Sequence, residues 1–181
     1  MEKIKIFLVN RGRYSKGDAV RMGEWVKLPI HTDPDKMEQM LERLGINAEC
    51  WEYIISDFNG TMPNLEIRGD TSISELNTLA EEIEMLNEWS YMTMCSAVEM
   101  ECPSTIKEMR LLLSKLSHYY LIPEICDESS LAEFFVECEN AFANMPDDHI
   151  ARRFFDFARY GRYIHARNLG TFTSYGYLMR R

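Results

Sequence analysis

The spacing of apolar residues changes near residue 72, and this change most constrains the fold of the chain. Before it, three short segments have strand-like composition: residues 3–9, 24–30 and Glu52–Ser56. After it, apolar side chains recur every three or four residues, as on one face of an amphipathic helix. Short strands followed by a run of helices are typical of the α+β class.

The first sixty-odd residues predict a small antiparallel sheet that carries one helix. Asp33 supplies an N-cap and Pro34 a first-turn proline, and Gly45 closes the helix predicted over Asp35–Leu44.

Helices follow through the centre of the chain. Ser72 and Glu75 form a capping-box pattern at the start of a helix that we expect to continue to Glu88. Further helices are predicted over about 88–100 and over Thr105–Leu116, and a second capping-box pattern, Ser130 with Glu133, opens another.

The C-terminal part predicts one long helix and a hairpin. The helix should start at Pro146 and run to about Ala166, with Gly170 after its end, and the strands should be Thr171–Thr173 and Tyr177–Met179. We therefore expect three consecutive small domains: residues 1–62 as a sheet with one helix, 63–128 as a helical bundle, and 129–181 as helices plus a short hairpin.

Charge is segregated along the chain. The formal net charge is −9, yet residues 33–148 hold 25 acidic against six basic residues, while residues 149–181 hold seven arginines against one acid. A central field of this size attracts a basic groove and repels nucleic acid over about a Debye length, roughly 8 to 10 Å. Acidic helices also occur simply because they are soluble, so charge alone leaves both interpretations open.

The sequence lacks the patterns of catalytic and metal sites. The four histidines (His31, His118, His149 and His165) form no ligand pair, and no phosphate-binding loop or nucleophile elbow is present. The five cysteines include no C-x-x-C pair, and Cys95 and Cys102, seven residues apart, are predicted to be core thiols. We expect no enzyme activity, no metal and no cofactor.

Two observations bear on localisation. The N-terminal apolar run is too short for a signal peptide, and no stretch approaches the roughly 20 apolar residues of a membrane helix. A cytoplasmic protein is expected.

Arginines and aromatic residues alternate over residues 152–163. Such a mixture can form a nucleic-acid surface, in which arginine contacts phosphate and rings stack on bases. We favour the alternative of a core helix whose aromatic side chains pack inward and whose arginines pair with acids of the central region.

Several motifs, in order along the chain, resemble those of the ArdA-type antirestriction family. They are Asn10–Tyr14 with Gly17, Gly23–Pro29, Glu52–Phe58, Ser72–Asn77, Asp156–Arg162 and Gly170–Phe172. The resemblance implies an elongated three-part α+β protein that dimerises through its C-terminal region, mimics bent DNA and inhibits type I restriction-modification enzymes at their DNA-binding and methyltransferase subunits. It also implies carriage on mobile genetic elements.

Two sets of residues follow as candidate binding sites. Carboxylates that stand in for phosphates are expected at Asp33, Asp35, Glu38, Glu42, Glu49, Glu52, Asp57, Glu66, Asp70, Glu75, Glu81, Glu82, Glu84 and Glu88. A homodimer interface is expected at Phe154, Phe155, Phe157, Tyr160 and Tyr163, because these rings exceed what one helical stripe can bury. The leading hypothesis requires no direct contact with nucleic acid; the alternative is an accessory protein of a mobile element that binds nucleic acid through its basic termini.

Overall fold

The computed structural model describes residues 4–14, 23–30, 34–46, 52–60, 62, 64–146 and 148–181, with the backbone alone for residues 13, 14 and 34–37. Its contacts divide the chain into two compact units. The first comprises Met1–Asn87 and Pro103–Leu113, and the second comprises Glu88–Cys102 and Ser114–Arg181. The predicted α+β class is confirmed, whereas the three-domain division with boundaries near residues 62 and 128 stays a prediction.

A three-stranded antiparallel sheet forms the base of the first unit. Its strands are β1 (Lys5–Asn10), β2 (Gly23–Lys27) and β3 (Tyr53–Asn59), in the order β2-β1-β3. Ile6 and Leu8 of the central strand are completely buried. They alternate along the strand, and this period of two turns both side chains toward one core.

Two helices lie between the strands of this sheet in the sequence. A short helix α1 (Arg11–Tyr14) follows β1 directly, and α2 (Pro34–Arg43) precedes β3. Asn10 is buried, and its amide donates to the carbonyl oxygens of Gly45 (2.8 Å) and Leu44 (3.3 Å). The side chain thereby satisfies carbonyls that the end of a helix leaves unpaired.

Helices α3 (Ile73–Glu84) and α5 (Ile106–Ser114) extend the first unit. The N-cap predicted at Ser72 is confirmed, since the Glu75 amide donates to its hydroxyl. Leu76, Leu79, Ala80 and Ile83 are buried along one face of α3. Because α3 ends at Glu84, the continuous helix predicted from Ser72 to Glu88 is wrong.

The second unit combines helices with a second sheet. Its helices are α4 (Glu88–Glu101), α6 (Glu128–Cys138), α7 (Ile150–Arg153) and α8 (Phe157–Asn168), with a 3-10 turn at Leu116–His118. Its strands are β4 (Tyr119–Pro123), β5 (Thr171–Thr173) and β6 (Gly176–Arg180), in the order β4-β6-β5. The hairpin predicted at the C-terminus is confirmed as β5 and β6.

Strand β4 was not predicted, because the sequence between two helices offers only five residues, Tyr-Tyr-Leu-Ile-Pro, and no clear alternation. It becomes a strand by pairing with β6, where Leu121 lies opposite Leu178 and Ile122 opposite Tyr177. All four side chains are buried. A partner more than fifty residues away therefore decides the conformation of this segment.

Two helix starts differ from prediction. Asp127, rather than Ser130, is the N-cap of α6: its carboxylate accepts from the Ser130 amide (2.8 Å), while the Ser130 hydroxyl accepts from the Asp127 amide (3.2 Å). The long C-terminal helix is interrupted, because α7 ends at Arg153 and Asp156 caps a new helix by accepting from the Arg159 amide at 2.9 Å. In both places an aspartate side chain satisfies free amides of a first turn.

Helices α6 and α8 pack so closely that the backbone of one contacts the backbone of the other. A Cβ atom built on Gly161 of α8 would lie 1.7 Å from the carbonyl oxygen of Glu128. Only glycine allows this approach, which brings Leu131 and Ile164 into one core cluster with Ile122 and Tyr177.

Candidate partner-binding surface

The described carboxylates of the predicted mimic set lie at or near the surface. Most are exposed, and Glu82 is half-buried. Asp33 and Glu49 lie outside the described residues, and Asp35 is described by its backbone alone. The exposed members are Glu38, Glu42, Glu52, Asp57, Glu66, Asp70, Glu75, Glu81, Glu84 and Glu88.

Three members of the set form ion pairs with arginines in the part of the chain that the structure describes. Glu52 pairs with Arg11 (3.2 Å) and Glu66 with Arg68 (3.8 Å). The Nε atom of Arg110 on α5 lies 2.9 and 3.1 Å from the two carboxylate oxygens of Glu82, and this pairing raises the pKa of Arg110. A carboxylate held in this way offers less charge to a partner than an unpaired one.

The acids of α3 lie on two flanks of its buried stripe. At 100° per residue, Glu75 and Glu82 lie on one flank, beside Arg110, and Glu81 and Glu84 lie on the opposite flank. The second pair, which we name the α3 acidic row, is separated by about 4.5 Å along the helix axis. The α3 acidic row is the part of α3 that presents carboxylates away from Arg110.

Side-chain hydrogen bonds hold α3 against the rest of its unit. The Asn77 carbonyl oxygen accepts from the backbone amide of Ile30 (2.6 Å), and its amide group donates to the Glu81 carboxylate (2.8 Å). The hydroxyl of Tyr53 on β3 accepts from the backbone amide of Ile73 at 3.4 Å. Asn77 therefore fixes both the helix and one carboxylate of the α3 acidic row, which lowers the entropy cost of ordering that carboxylate in a complex.

The α3 acidic row lies where a helix tolerates negative charge least. Glu81, Glu82 and Glu84 occupy the last turn of α3, which has no basic residue. The carbonyl end of a helix carries a partial negative charge, so each exposed acid there costs a few tenths of a kcal/mol at low salt. A favourable interaction with the helix dipole therefore does not account for Glu81 and Glu84.

A helix that continued to Glu88, as predicted, would place Glu81, Glu84 and Glu88 along one stripe, but the structure interrupts it. Met85 is the C-cap of α3, and Glu88 is the first residue of α4, which belongs to the second unit. The physical reason is the break in the helix over Met85, Leu86 and Asn87, which ends the shared helical register. Glu88 is therefore not part of the α3 acidic row.

Other acids, absent from the predicted set, are exposed in the second unit. Glu133 and Glu137 lie one turn apart on α6, and Glu139 follows its end. The acidic count over residues 33–148 included them, and Glu133 was part of the capping-box pattern with Ser130, but neither signal marked them as binding residues. Glu101 has a different role: burial raises its pKa, but hydrogen bonds from Arg180 (2.7 Å) and Tyr119 (2.8 Å) outweigh this and hold the pKa below its usual value.

The predicted dimer residues fall into two groups. Phe155 is half-buried and makes edge-to-face contacts with Phe142, Phe157 and Tyr160, at centroid distances of 4.9 to 5.5 Å. Phe154 and Tyr163 are 76% and 54% exposed. The first group builds the core around α8, so only Phe154 and Tyr163 remain available in full to a partner.

The predicted core position of the cysteines is only partly correct. Cys95 is buried, and burial raises the pKa of its thiol. Cys102 is exposed because α4 ends at Glu101 and Cys102 itself adopts a left-handed backbone conformation, with φ of 49°. Cys126 and Cys138 are exposed as well, and Cys50 lies outside the described residues.

The described residues contain no cluster of three histidine, cysteine or acidic side chains arranged to hold a metal ion. Within the same part of the chain, no helix is both long and apolar enough to cross a membrane.

Comparison with known proteins identifies the family. The family model described as "Antirestriction protein (ArdA)" matches residues 6–179, nearly the whole chain. The chain therefore belongs to the ArdA antirestriction family, and membership implies an antirestriction function directed at restriction enzymes. No curated protein matches the sequence.

The family motifs supply mainly structural contacts. Asn10 holds the end of α2, Ser72 caps α3, Asn77 anchors α3, and Gly161 permits the packing of α8 on α6. The motifs thus specify the framework, and most acids of the surface lie between them.

Proposed function

We propose that the chain is a non-enzymatic DNA mimic that inhibits a type I restriction-modification enzyme by occupying its DNA-binding groove. The carboxylates of the first unit take the place of phosphates. The observation that carries the proposal is the α3 acidic row: exposed acids on an anchored helix, placed where they do not stabilise that helix.

The charge density requires more than one element. Duplex DNA carries about one negative charge per 1.7 Å of its axis, whereas the two carboxylates of the α3 acidic row are about 4.5 Å apart along the helix. Glu38 and Glu42, exposed and one turn apart on α2, add a second pair in the same unit. Asp57 and Asp70 are also exposed, with no arginine in ion-pair distance among the described residues.

Competition for the methyltransferase core tests the proposal. A labelled duplex is bound to the core, and the protein is added at two salt concentrations. We expect displacement of the duplex, with an apparent affinity that falls as salt rises, because both ligands rely on the same screened attraction. If the duplex stays bound at low salt, mimicry is wrong.

A matched pair of variants locates the surface. Replacing Glu81 and Glu84 by glutamine should weaken inhibition several-fold. Replacing Glu133 and Glu137 by glutamine removes the same charge from α6 and should change inhibition much less. Equal losses in the two double variants would show that net charge, rather than the α3 acidic row, determines binding.

We also propose a homodimer formed through α7. Ile150, the first residue of α7, is 68% exposed, and Phe154, its C-cap, is 76% exposed. Apolar side chains exposed to this degree gain by mutual burial in a second copy. Sedimentation at tens of micromolar should show a dimer, and replacing both residues by serine should yield monomers with unchanged circular dichroism; a monomeric parent protein would contradict this proposal.

A further inference from the structure

The solvent face of α8 is a strongly basic surface that the mimic hypothesis does not use. Five residues form this face, and all are exposed: Arg159, Arg162, Tyr163, Ala166 and Arg167. At 100° per residue they lie within about 140° of one another around the helix. Gly161 and Ile164, on the opposite side, are buried.

The arginines of this face are separated from the chain's own acids. Among the described residues, Arg159 and Arg162 have no carboxylate within 4 Å. Neither arginine therefore pairs with an acid of the central region whose side chain the structure describes. The reason is geometric: α8 turns its glycine side toward α6, so the arginines point away from that acidic helix.

Arg180 shows the alternative within the same unit. Its guanidinium forms a two-pronged contact with Glu101, with Nη2 lying 2.6 and 2.7 Å from the two carboxylate oxygens. Arg159 and Arg162 make no such contact with a described acid, and both are exposed to solvent.

Tyr160, Tyr163 and Arg167 form a stack of two aromatic rings and one guanidinium group on α8. The rings of Tyr160 and Tyr163 are nearly parallel, at an angle of 19° with centroids 6.3 Å apart. The Arg167 guanidinium lies 5.5 Å from the centroid of Tyr163 and donates to its hydroxyl at 2.8 Å. Tyr160 is half-buried whereas Tyr163 and Arg167 are exposed, so the stack runs from the core to solvent.

We propose that this face of α8 binds single-stranded nucleic acid. Arg159 and Arg162 bind backbone phosphates, because the planar guanidinium group can donate two parallel hydrogen bonds to phosphate oxygens. An unpaired base stacks at the exposed Tyr163–Arg167 end, since bases stack on both tyrosine and guanidinium planes. An acidic protein offers charge but no planar base, and a second copy of α8 would bring arginine against arginine.

Fluorescence anisotropy with a labelled oligo(dT) strand, using the full chain, tests this proposal. Because two arginines contact phosphates, the logarithm of the binding constant should fall with the logarithm of salt concentration with a slope of about −1.4, and the double change Arg159→Gln with Arg162→Gln should bring the slope close to zero. The same double variant should weaken binding at low salt by about tenfold or more. Tyr163→Leu should weaken binding about fivefold or more without changing the slope, because it removes the stacking ring and the hydrogen bond from Arg167, neither of which is a phosphate contact.

The control is Arg43→Gln with Lys107→Gln, which removes the same charge from exposed positions of the first unit. It should bind like the parent protein. No binding at low salt, or equal loss in both double variants, would overturn the proposal. A duplex bound as tightly as the single strand would overturn the role of an unpaired base.

Two further outcomes would assign the face to a protein instead. Poly-glutamate that displaces the oligonucleotide at equal charge would indicate an acidic protein partner. A shift in sedimentation caused by the α8 double variant would indicate a second copy of this chain. This proposal does not depend on mimicry, because the competition assay with the methyltransferase core uses a duplex and the acids of the first unit.

Discussion

Helices α3 and α8 are matched in length and in design but opposite in charge. Each has twelve residues, an N-cap side chain and one buried face. The charged residues in the last turn of α3 are all acids, against its dipole, whereas the last turn of α8 contains His165 and Arg167, in accord with its dipole. The last-turn charges of α8 thus suit its dipole and those of α3 do not, which favours a binding role for the acids at the end of α3.

The two helices also bury their inner faces differently. Helix α3 uses leucine side chains, of which Leu76 and Leu79 are completely buried. Helix α8 uses Gly161, which brings its backbone against the carbonyl of Glu128. The packing of α3 is stabilised by the apolar area that its leucines bury. The packing of α8 on α6 requires that position 161 has no side chain.

The largest effect is expected for Gly161→Ala. The new methyl group would lie 1.7 Å from the Glu128 carbonyl oxygen, so the helices must separate, at a cost of about 3 kcal/mol or more. Intrinsic helix propensity predicts the opposite sign, a gain of about 1 kcal/mol. Urea denaturation followed by circular dichroism measures the difference, with Ala166→Gly on the exposed face as control; a stabilised Gly161→Ala variant would refute the packing argument.

Leu79→Ala should cost about 3 kcal/mol, because it leaves a cavity in a fully buried site of α3. The conservative change Leu79→Met nearly keeps the volume and should cost less than about 1.5 kcal/mol. Both values come from the same denaturation experiment. Equal losses in the two variants would mean that volume does not determine the stability of this site.

Glu101→Gln should cost about 1 kcal/mol at neutral pH, because it weakens the hydrogen bonds from Arg180 and Tyr119. The pKa of Glu101 is lowered in the folded protein from a usual value of 4.5. A lowered folded-state pKa stabilises the protein above pH 4.5, and this contribution is lost as the pH falls through the folded pKa. The gap between variant and parent should therefore close in acid; a gap that persists at low pH would exclude charge as its origin.

The smallest predicted effect is an increase in the free energy of unfolding. Replacing Glu81 and Glu84 by glutamine should stabilise the chain by about 0.5 kcal/mol at low salt, because it relieves an unfavourable interaction with the end of α3. The gain should shrink in high salt. Stability that falls instead would show that these carboxylates support the fold, and would weaken the argument that they serve binding.

Local sequence signals predicted most of the framework. The Ser72 cap, helix α2 and the C-terminal hairpin are confirmed because caps, proline and turn residues act within a few positions. Strand β4 could not be predicted in this way, because its five residues pair with a strand that begins more than fifty residues later. The break before α8 was hidden by apolar residues that continue the helical spacing, while Asp156 supplied a new cap.

The sequence by itself determined the family, the α+β class and the segregation of acidic from basic residues, because ordered motifs and residue counts need no coordinates. Only the tertiary structure decided which charges are available to a partner. Glu82 meets Arg110 from 28 positions away and Glu101 meets Arg180 from 79, whereas Arg159 and Arg162 meet no described acid. Charge pairing depends on distances of a few ångströms between side chains, and for residues far apart in sequence the packing of helices and strands sets these distances.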